Sequence, residues 1–185
     1  MRIIGGKLKG KSISFLKSST TRPLKDSIKE NIFNILIHSN LLNINLEKSK
    51  VLDLYSGIGS FGLECISRGS SKIIFVEKDK NAYEILNKNL IHLSVQNKAI
   101  VVTDQIEIFL KKEQLIKFDI IFLDPPFADN TFVEKLRTLK EKKIFKKAHV
   151  VIIHREHKSS DNFKKIINPI IVKKYGRSKI IFAKF

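Results

Sequence analysis

The sequence predicts an α/β fold, a mostly parallel sheet with helices on both faces. Three observations carry this. From residue 51 onwards, short apolar runs alternate with longer segments of helical period. The runs are unbroken and rich in Val, Ile and Leu, as in strands buried on both faces. Several end on a carboxylate and one opens into a glycine-rich turn, the pattern of open α/β sheets that place ligands at the carboxyl edge.

Residues 1–17 alternate loosely around Gly5, Gly6 and Gly10, which suggests a short glycine-hinged β-hairpin. A helix follows Pro23, with Ser27 and Glu30 spaced as a capping box and Ile28, Ile32, Ile35 and Leu36 on one stripe. Polar residues 40–50 read as a connector. The expected division is a basic hairpin-and-helix appendage over 1–45 and a core over 46–185. Strands are expected at 51–54, 72–76, 100–103, 118–123 and 150–154. Helices are expected at 60–68 (closed by Gly69), 80–93, 105–112 and 131–140. The segments 166–174 and 178–184, around Tyr175-Gly176-Arg177, read as a terminal hairpin. At 185 residues the chain suffices for one well-cored domain.

Hydrophobic content of 43% and charged content of 29% exclude wholesale disorder. No apolar stretch is long enough to span a bilayer and the N-terminus lacks a signal-peptide core, so a soluble cytoplasmic protein without membrane contact is expected. A single cysteine, Cys65, excludes an intrachain disulfide and a Cys-based zinc cluster, and its apolar helical context suggests a buried structural thiol. His154 and His157 lack the spacing of a metal-binding helix pair, so no metal is expected. The net charge of +17 is uneven. Residues 1–50 carry ten Lys/Arg against three acids, 51–136 ten against twelve, and 137–185 fifteen against three. A codon bias that raises Lys everywhere would not leave the middle slightly acidic. Basic flanks around a near-neutral core are the footprint of a polyanion binder.

The chemistry concentrates at strand ends. Asp124-Pro125-Pro126-Phe127 follows an apolar run and delivers a carboxylate at the sheet edge, with prolines that cannot continue a ladder. A carboxylate or carbonyl acceptor beside a flat ring suits a planar amino group, such as the exocyclic amine of a nucleobase; an Asp-Pro surface turn is the simpler alternative. Asp53 precedes Gly57-x-Gly59-x-x-Gly62, a string that formally satisfies the dinucleotide fingerprint. An acid at that place would repel a pyrophosphate, yet it suits a cofactor with a cationic amino-acid portion and no phosphate, such as S-adenosylmethionine. Glu77 is placed to accept from ribose hydroxyls, and Asp104 from an adenine amino group, though each acid also suits a helix N-cap.

With these residues the chain resembles the class I S-adenosylmethionine-dependent methyltransferases, and among them the RsmD family of 16S rRNA (guanine-N2)-methyltransferases. The resemblance extends over nearly the whole length. It rests on Arg2-Ile3-Ile4-Gly5-Gly6 with Gly10, Arg22-Pro23 with Asp26, Glu30 and Phe33-Asn34, and the glycine loop continuing through Gly62-Leu63-Glu64. Ser67-Arg68-Gly69, Val76-Glu77-Lys78-Asp79, Asp124-Pro125-Pro126-Phe127 and Tyr175-Gly176-Arg177-Ser178-Lys179 complete it. The resemblance implies a Rossmann-like, seven-stranded class I core with a small N-terminal appendage. It implies methyl transfer from S-adenosylmethionine to the N2 amine of a guanine in 16S rRNA, free or in the 30S subunit, by a monomer. Catalysis would then fall to Asp124, Pro125, Pro126 and Phe127, and cofactor binding to Asp53, Tyr55, Gly57, Gly59, Glu77, Lys78 and Asp104. Arg2, Lys7, Lys9, Lys11, Arg22, Lys25 and Lys29 would form a basic RNA clamp. Three alternatives share parts of this pattern: an adenine-N6 methyltransferase, a NAD-dependent oxidoreductase, and a non-catalytic RNA-binding module.

Overall fold

Seven strands make one sheet in the order β3-β2-β1-β4-β5-β7-β6 in the computed structural model, which describes residues 1–15, 24–112, 116–163 and 165–185. The strands are β1 (Lys50–Leu54), β2 (Lys72–Val76), β3 (Ala99–Val102), β4 (Phe118–Leu123), β5 (Phe145–Glu156), β6 (Asn168–Tyr175) and β7 (Ser178–Lys184). The helices are α1 (Asp26–His38), α2 (Ser60–Ser67), α3 (Lys80–His92), α4 (Ile106–Lys111) and α5 (Phe132–Glu141). β1 to β5 pair in parallel, and β7 runs antiparallel between β5 and β6. This is the Rossmann-like α/β architecture that the strand–helix alternation predicts.

Alternate residues of each strand enter opposite faces, so the two sides of the sheet carry separate cores. Val51, Ile73, Phe75, Ile120 and Phe122 face one side with α1, α2 and α3, while Leu52, Leu54, Ile121 and Leu123 face the other with α4 and α5. On the first side the rings of Phe33, Phe61 and Phe122 stack with centroids 5.3 and 4.0 Å apart, joining α1, α2 and β4. Ile3, Ile13, Leu24 and Ile28 belong to this same core, so the N-terminal segment packs on the sheet itself.

Local details differ from the sequence expectations for identifiable reasons. The expected 1–17 hairpin is present over residues 1–15 as a short antiparallel pairing about the Arg2–Ser12 bridge, with a 3₁₀ turn at Gly6–Leu8. The Ile3 amide donates to the Lys11 carbonyl, Gly10 to Ile3 and Ile13 to Met1, each at 2.9 Å, and residues 16 and 17 lie outside the described residues. Amides around the turn are held by side chains of α2: the Ile4 and Gly5 amides donate to Glu64 at 2.9 and 2.8 Å, and the Leu8 amide to Ser67 Oγ at 2.9 Å. The Ser27–Glu30 capping box does not form. The Lys29 amide already bonds the Lys25 carbonyl, so α1 starts at Asp26 and Ser27 lies inside its first turn. β5 starts five residues before the expected position, because its first half is polar and partly exposed and so leaves no apolar run. Cys65 is buried as expected, and burial pushes its thiol well above the ordinary value. No helix of the described residues is long and apolar enough to cross a membrane.

Candidate active site

After β1 the chain winds outward through β2 and β3, then returns to place β4 on the other flank of β1. That reversal is a topological switch point, where loops diverge and leave a crevice at the carboxyl edge. A cleft of about 700 Å³ opens there, within the range of small-molecule sites. Asp53, Tyr55, Gly57, Glu77, Lys78 and Asp104 line it, together with Asp124, Pro125, Pro126 and Phe127. Gly59 stays behind the wall. As the residue before α2 it adopts φ 83°, and an added Cβ there would collide with Leu86. Gly62 is also structural, since a Cβ would strike the Phe75 ring and push α2 off β2.

Asp53 is the most constrained acid. It is a strand residue 1% exposed, its Oδ2 accepts the Gly62 amide at 3.0 Å, and its Oδ1 has no hydrogen-bond partner among the described residues. Burial raises its carboxyl well above the ordinary range; the Gly62 amide opposes the rise, and the Asp124 and Glu77 carboxylates add to it. The buried hydroxyls of Ser56, after β1, and Ser60, the first residue of α2, are likewise unpartnered among the described residues. An orphaned buried carboxylate oxygen is costly unless a donor reaches it, and a cationic donor suits it best. The donor set therefore fits the amino-acid end of a cofactor such as S-adenosylmethionine.

Glu77 ties the loop to β2, accepting the Gly57 amide at 2.7 Å and the Asp79 amide at 2.8 Å. Asp104 accepts the Gln105 amide at 2.9 Å and lies 3.5 Å from Lys112, while Lys78 is exposed at the rim. Tyr55 takes φ 60°, which sends its hydroxyl to Asp129 at 2.8 Å. Burial and that bond push the Tyr55 hydroxyl far above its ordinary value. Asp129 is a residue that sequence reasoning missed. Burial would raise its carboxyl, yet hydrogen bonds from Thr131 and Tyr55 hold it below the usual range. Lys135 completes this wall, 2.8 Å from Glu107 and 3.7 Å from Asp129.

Two further residues escaped the sequence reading because they belong to β5, far from the motif in sequence. His154 Nδ1 lies 2.8 Å from Asp124 Oδ1, and its Nε2 lies 2.9 Å from Ser178 Oγ. Arg155 is fully buried and donates to the Pro126 and Phe127 carbonyls at 3.1 and 3.3 Å. Asp161 balances its charge at 3.0 Å. The run His154-Arg155 at the end of a strand beside β4 was the available signal. Phe127 meets the His154 ring edge-on at 5.8 Å.

The N-terminal cations disperse. Arg2, Lys7, Lys9, Lys11 and Lys25 are exposed, and Arg22 lies outside the described residues. Lys29 needs a correction: it is fully buried, with Nζ donating to the Arg2 carbonyl at 2.8 Å and lying 3.8 Å from Glu64. An ammonium held inside the core cannot also reach a phosphate. The 3₁₀ turn bearing Lys7 is pinned by Ser67, at the opposite end of α2 from the cleft.

A family model described as Conserved hypothetical protein 95 matches residues 1–184. Ribosomal RNA small subunit methyltransferase D of Buchnera aphidicola (subsp. Acyrthosiphon pisum) is 34% identical, over 85% of this chain and 79% of that protein. The chain belongs to the RsmD family of methyltransferases. The RsmD relative from Haemophilus influenzae is also 34% identical, over 84% of this chain and 79% of its own. A solved structure from that organism superposes with TM-score 0.79 at 27% identity, covering 99% and 97% of the two chains. A more distant structure, solved in complex with SAH, shares the fold at 16% identity and TM-score 0.61, over 82% of this chain and 49% of that one. The RsmD fold thus places Asp53, Glu77, Asp104 and Asp124 on one edge of the sheet.

Proposed function

We propose that the protein transfers a methyl group from S-adenosylmethionine to the exocyclic N2 amine of a guanine in small-subunit ribosomal RNA. The observation that carries this reading is Asp124-Pro125-Pro126-Phe127 sharing one cleft with the unpartnered Asp53 oxygen. The curated relatives are named as small-subunit ribosomal RNA methyltransferases, and a fold neighbour binds SAH; both support it.

Asp53 would hold the ammonium of the cofactor, Glu77 its ribose and Asp104 its adenine. When bound, the cofactor supplies an electrophilic methyl group. An exocyclic amine is a poor nucleophile because its lone pair is delocalised into the ring. The Asp124 carboxylate and the Pro125 carbonyl accept its two N–H bonds and favour a pyramidal nitrogen, while Phe127 stacks on the base and fixes the direction of attack. Arg155 holds the backbone on which these groups stand, through the Pro126 and Phe127 carbonyls. The amine proton becomes acidic only once nitrogen carries positive charge, so Asp124 can take it late, at the oxygen that His154 does not engage. The target guanine would be splayed from its helix, because a stacked base cannot enter the cleft.

The test is labelled methyl transfer to 30S subunits, naked 16S rRNA and DNA, followed by digestion to nucleosides. N2-methylguanosine from the ribosomal substrate is the expected product. N6-methyladenosine or N6-methyldeoxyadenosine would replace the guanine assignment, and no transfer to any RNA would remove it.

A further inference from the structure

Residues 137–185 hold fifteen Lys/Arg against three acids, and the reaction proposed above uses only Arg155 among them. The sheet topology decides where part of this charge goes. β5 is parallel to β4, so its end lies on the edge that bears the cleft. β7 is antiparallel to β5 with Ser178 opposite Glu156, and β6 pairs with β7 so that Tyr175 stands opposite Ser178. The 175–178 turn therefore projects from the catalytic edge. Ser178 is linked to Asp124 through His154, in two contacts of 2.9 and 2.8 Å.

The turn is braced against the loop after β5. The His157 amide donates to the Arg177 carbonyl at 2.9 Å and His157 Nδ1 to the Gly176 carbonyl at 2.8 Å. Lys179 donates to the Ser159 carbonyl at 2.6 Å and lies 4.0 Å from Asp161, so its own charge is offset locally. Lys174 stands opposite Lys179 in register and is exposed; with Lys158 it pairs with no acid among the described residues. The Arg177 side chain is 75% exposed, with the Glu156 carboxylate 3.8 Å away. Three outward cations thus lie on the edge of the sheet that bears the cleft, whereas the tip bearing Lys7 is pinned at the far end of α2.

We infer that Lys158, Lys174 and Arg177 form a cationic lip that grips the phosphate backbone beside the nucleotide being methylated. This rests on the RNA-methylation reading and adds the surface that positions the substrate. Phosphate contacts of this kind fix register without reading sequence, and the guanidinium can engage a phosphate through two N–H groups. Their affinity comes from counterion release, so it weakens as salt rises.

The experiment compares wild type with the Lys158→Gln/Lys174→Gln/Arg177→Gln variant, binding naked 16S rRNA across a salt series and methylating it. Thermal melting and SAH affinity serve as folding controls. The expected result is KM for RNA raised about tenfold or more, and a log–log salt slope shallower by about 2, near 0.7 per lost contact. A Lys7→Gln/Lys9→Gln/Lys11→Gln variant is expected to change KM less. Unchanged KM and slope in a folded lip variant overturn the lip while wild-type methylation leaves the reaction standing. A defect seen with 30S subunits but absent on naked RNA also overturns it, in favour of a protein contact. Wild type that neither binds nor methylates rRNA removes the parent reading itself.

Discussion

A buried carboxyl that is short of one donor changes its affinity for protons when a cation arrives, and Asp53 is such a group. Its folded pKa is raised, so the fold favours the protonated form. The stability it contributes is fully present below the ordinary carboxylate value of about 4 and is lost as pH rises through the raised value. A ligand ammonium reverses that preference by stabilising the ionised form. Binding of S-adenosylmethionine or SAH is therefore expected to strengthen as pH rises through this window, with release of protons. Calorimetry in two buffers of different ionisation heat reads the protons directly, and Asp53→Asn is expected to abolish both the release and the pH dependence. His154 acts through geometry. Its Nδ1 holds one oxygen of Asp124, so it is a positioning residue. Asparagine keeps a donor near the same point and leucine does not. Loss of alignment on the scale of 1 Å costs about a hundredfold in rate. His154→Leu should thus lose kcat by about that factor with SAH affinity intact, and His154→Asn should recover most of it.

At the scale of elements, one carboxylate ties three groups of the N-terminal half to α2. Glu64, in the middle of α2, accepts the Ile4 and Gly5 amides and Arg68 Nε at 2.9 Å, and it balances the buried Lys29. Glu64→Ala leaves two amides and Arg68 Nε without their acceptor and removes one of the two carboxylates beside the buried Lys29 ammonium. The expected cost is about 3–5 kcal/mol, as for a buried pair broken on one side, and denaturant unfolding measures it. The same cluster shows what a sequence can and cannot reveal about elements. β1, β2 and β4 were legible because each is a largely apolar run of five or six residues with an acid near its end, inside β1 and directly after β2 and β4. The polar half of β5 was hidden because its exposure erases the period. Lys29 read as a surface charge because lysines on helices usually are, and only tertiary packing brings Glu64 to it. Asp124 and Asp53 announced themselves by position at a strand end, while His154 and Arg155 needed the β4–β5 pairing to become neighbours of the motif.

For the whole molecule, the cleft exists because the chain reverses its order of strands after β3, which local pattern alone does not dictate. The parallel core followed from alternating strands and helices, but the position of the last strand did not. A terminal hairpin added at an edge would have left β6 beside β5. Instead β7 slides between them, with long registers on both sides.

That insertion imposes an order of events during synthesis. β7 follows every other element in the chain, yet it separates β5 from the edge strand and carries Ser178, the partner of His154. While the chain is still emerging, β5 has a bare flank, β6 has nothing to pair with, and Asp124 lacks the full chain of contacts that orients it. The nascent protein can therefore assemble the part of the sheet that bears Asp53 and Glu77 before His154 gains its Ser178 partner. The contact that orients His154 towards Asp124 arrives with β7.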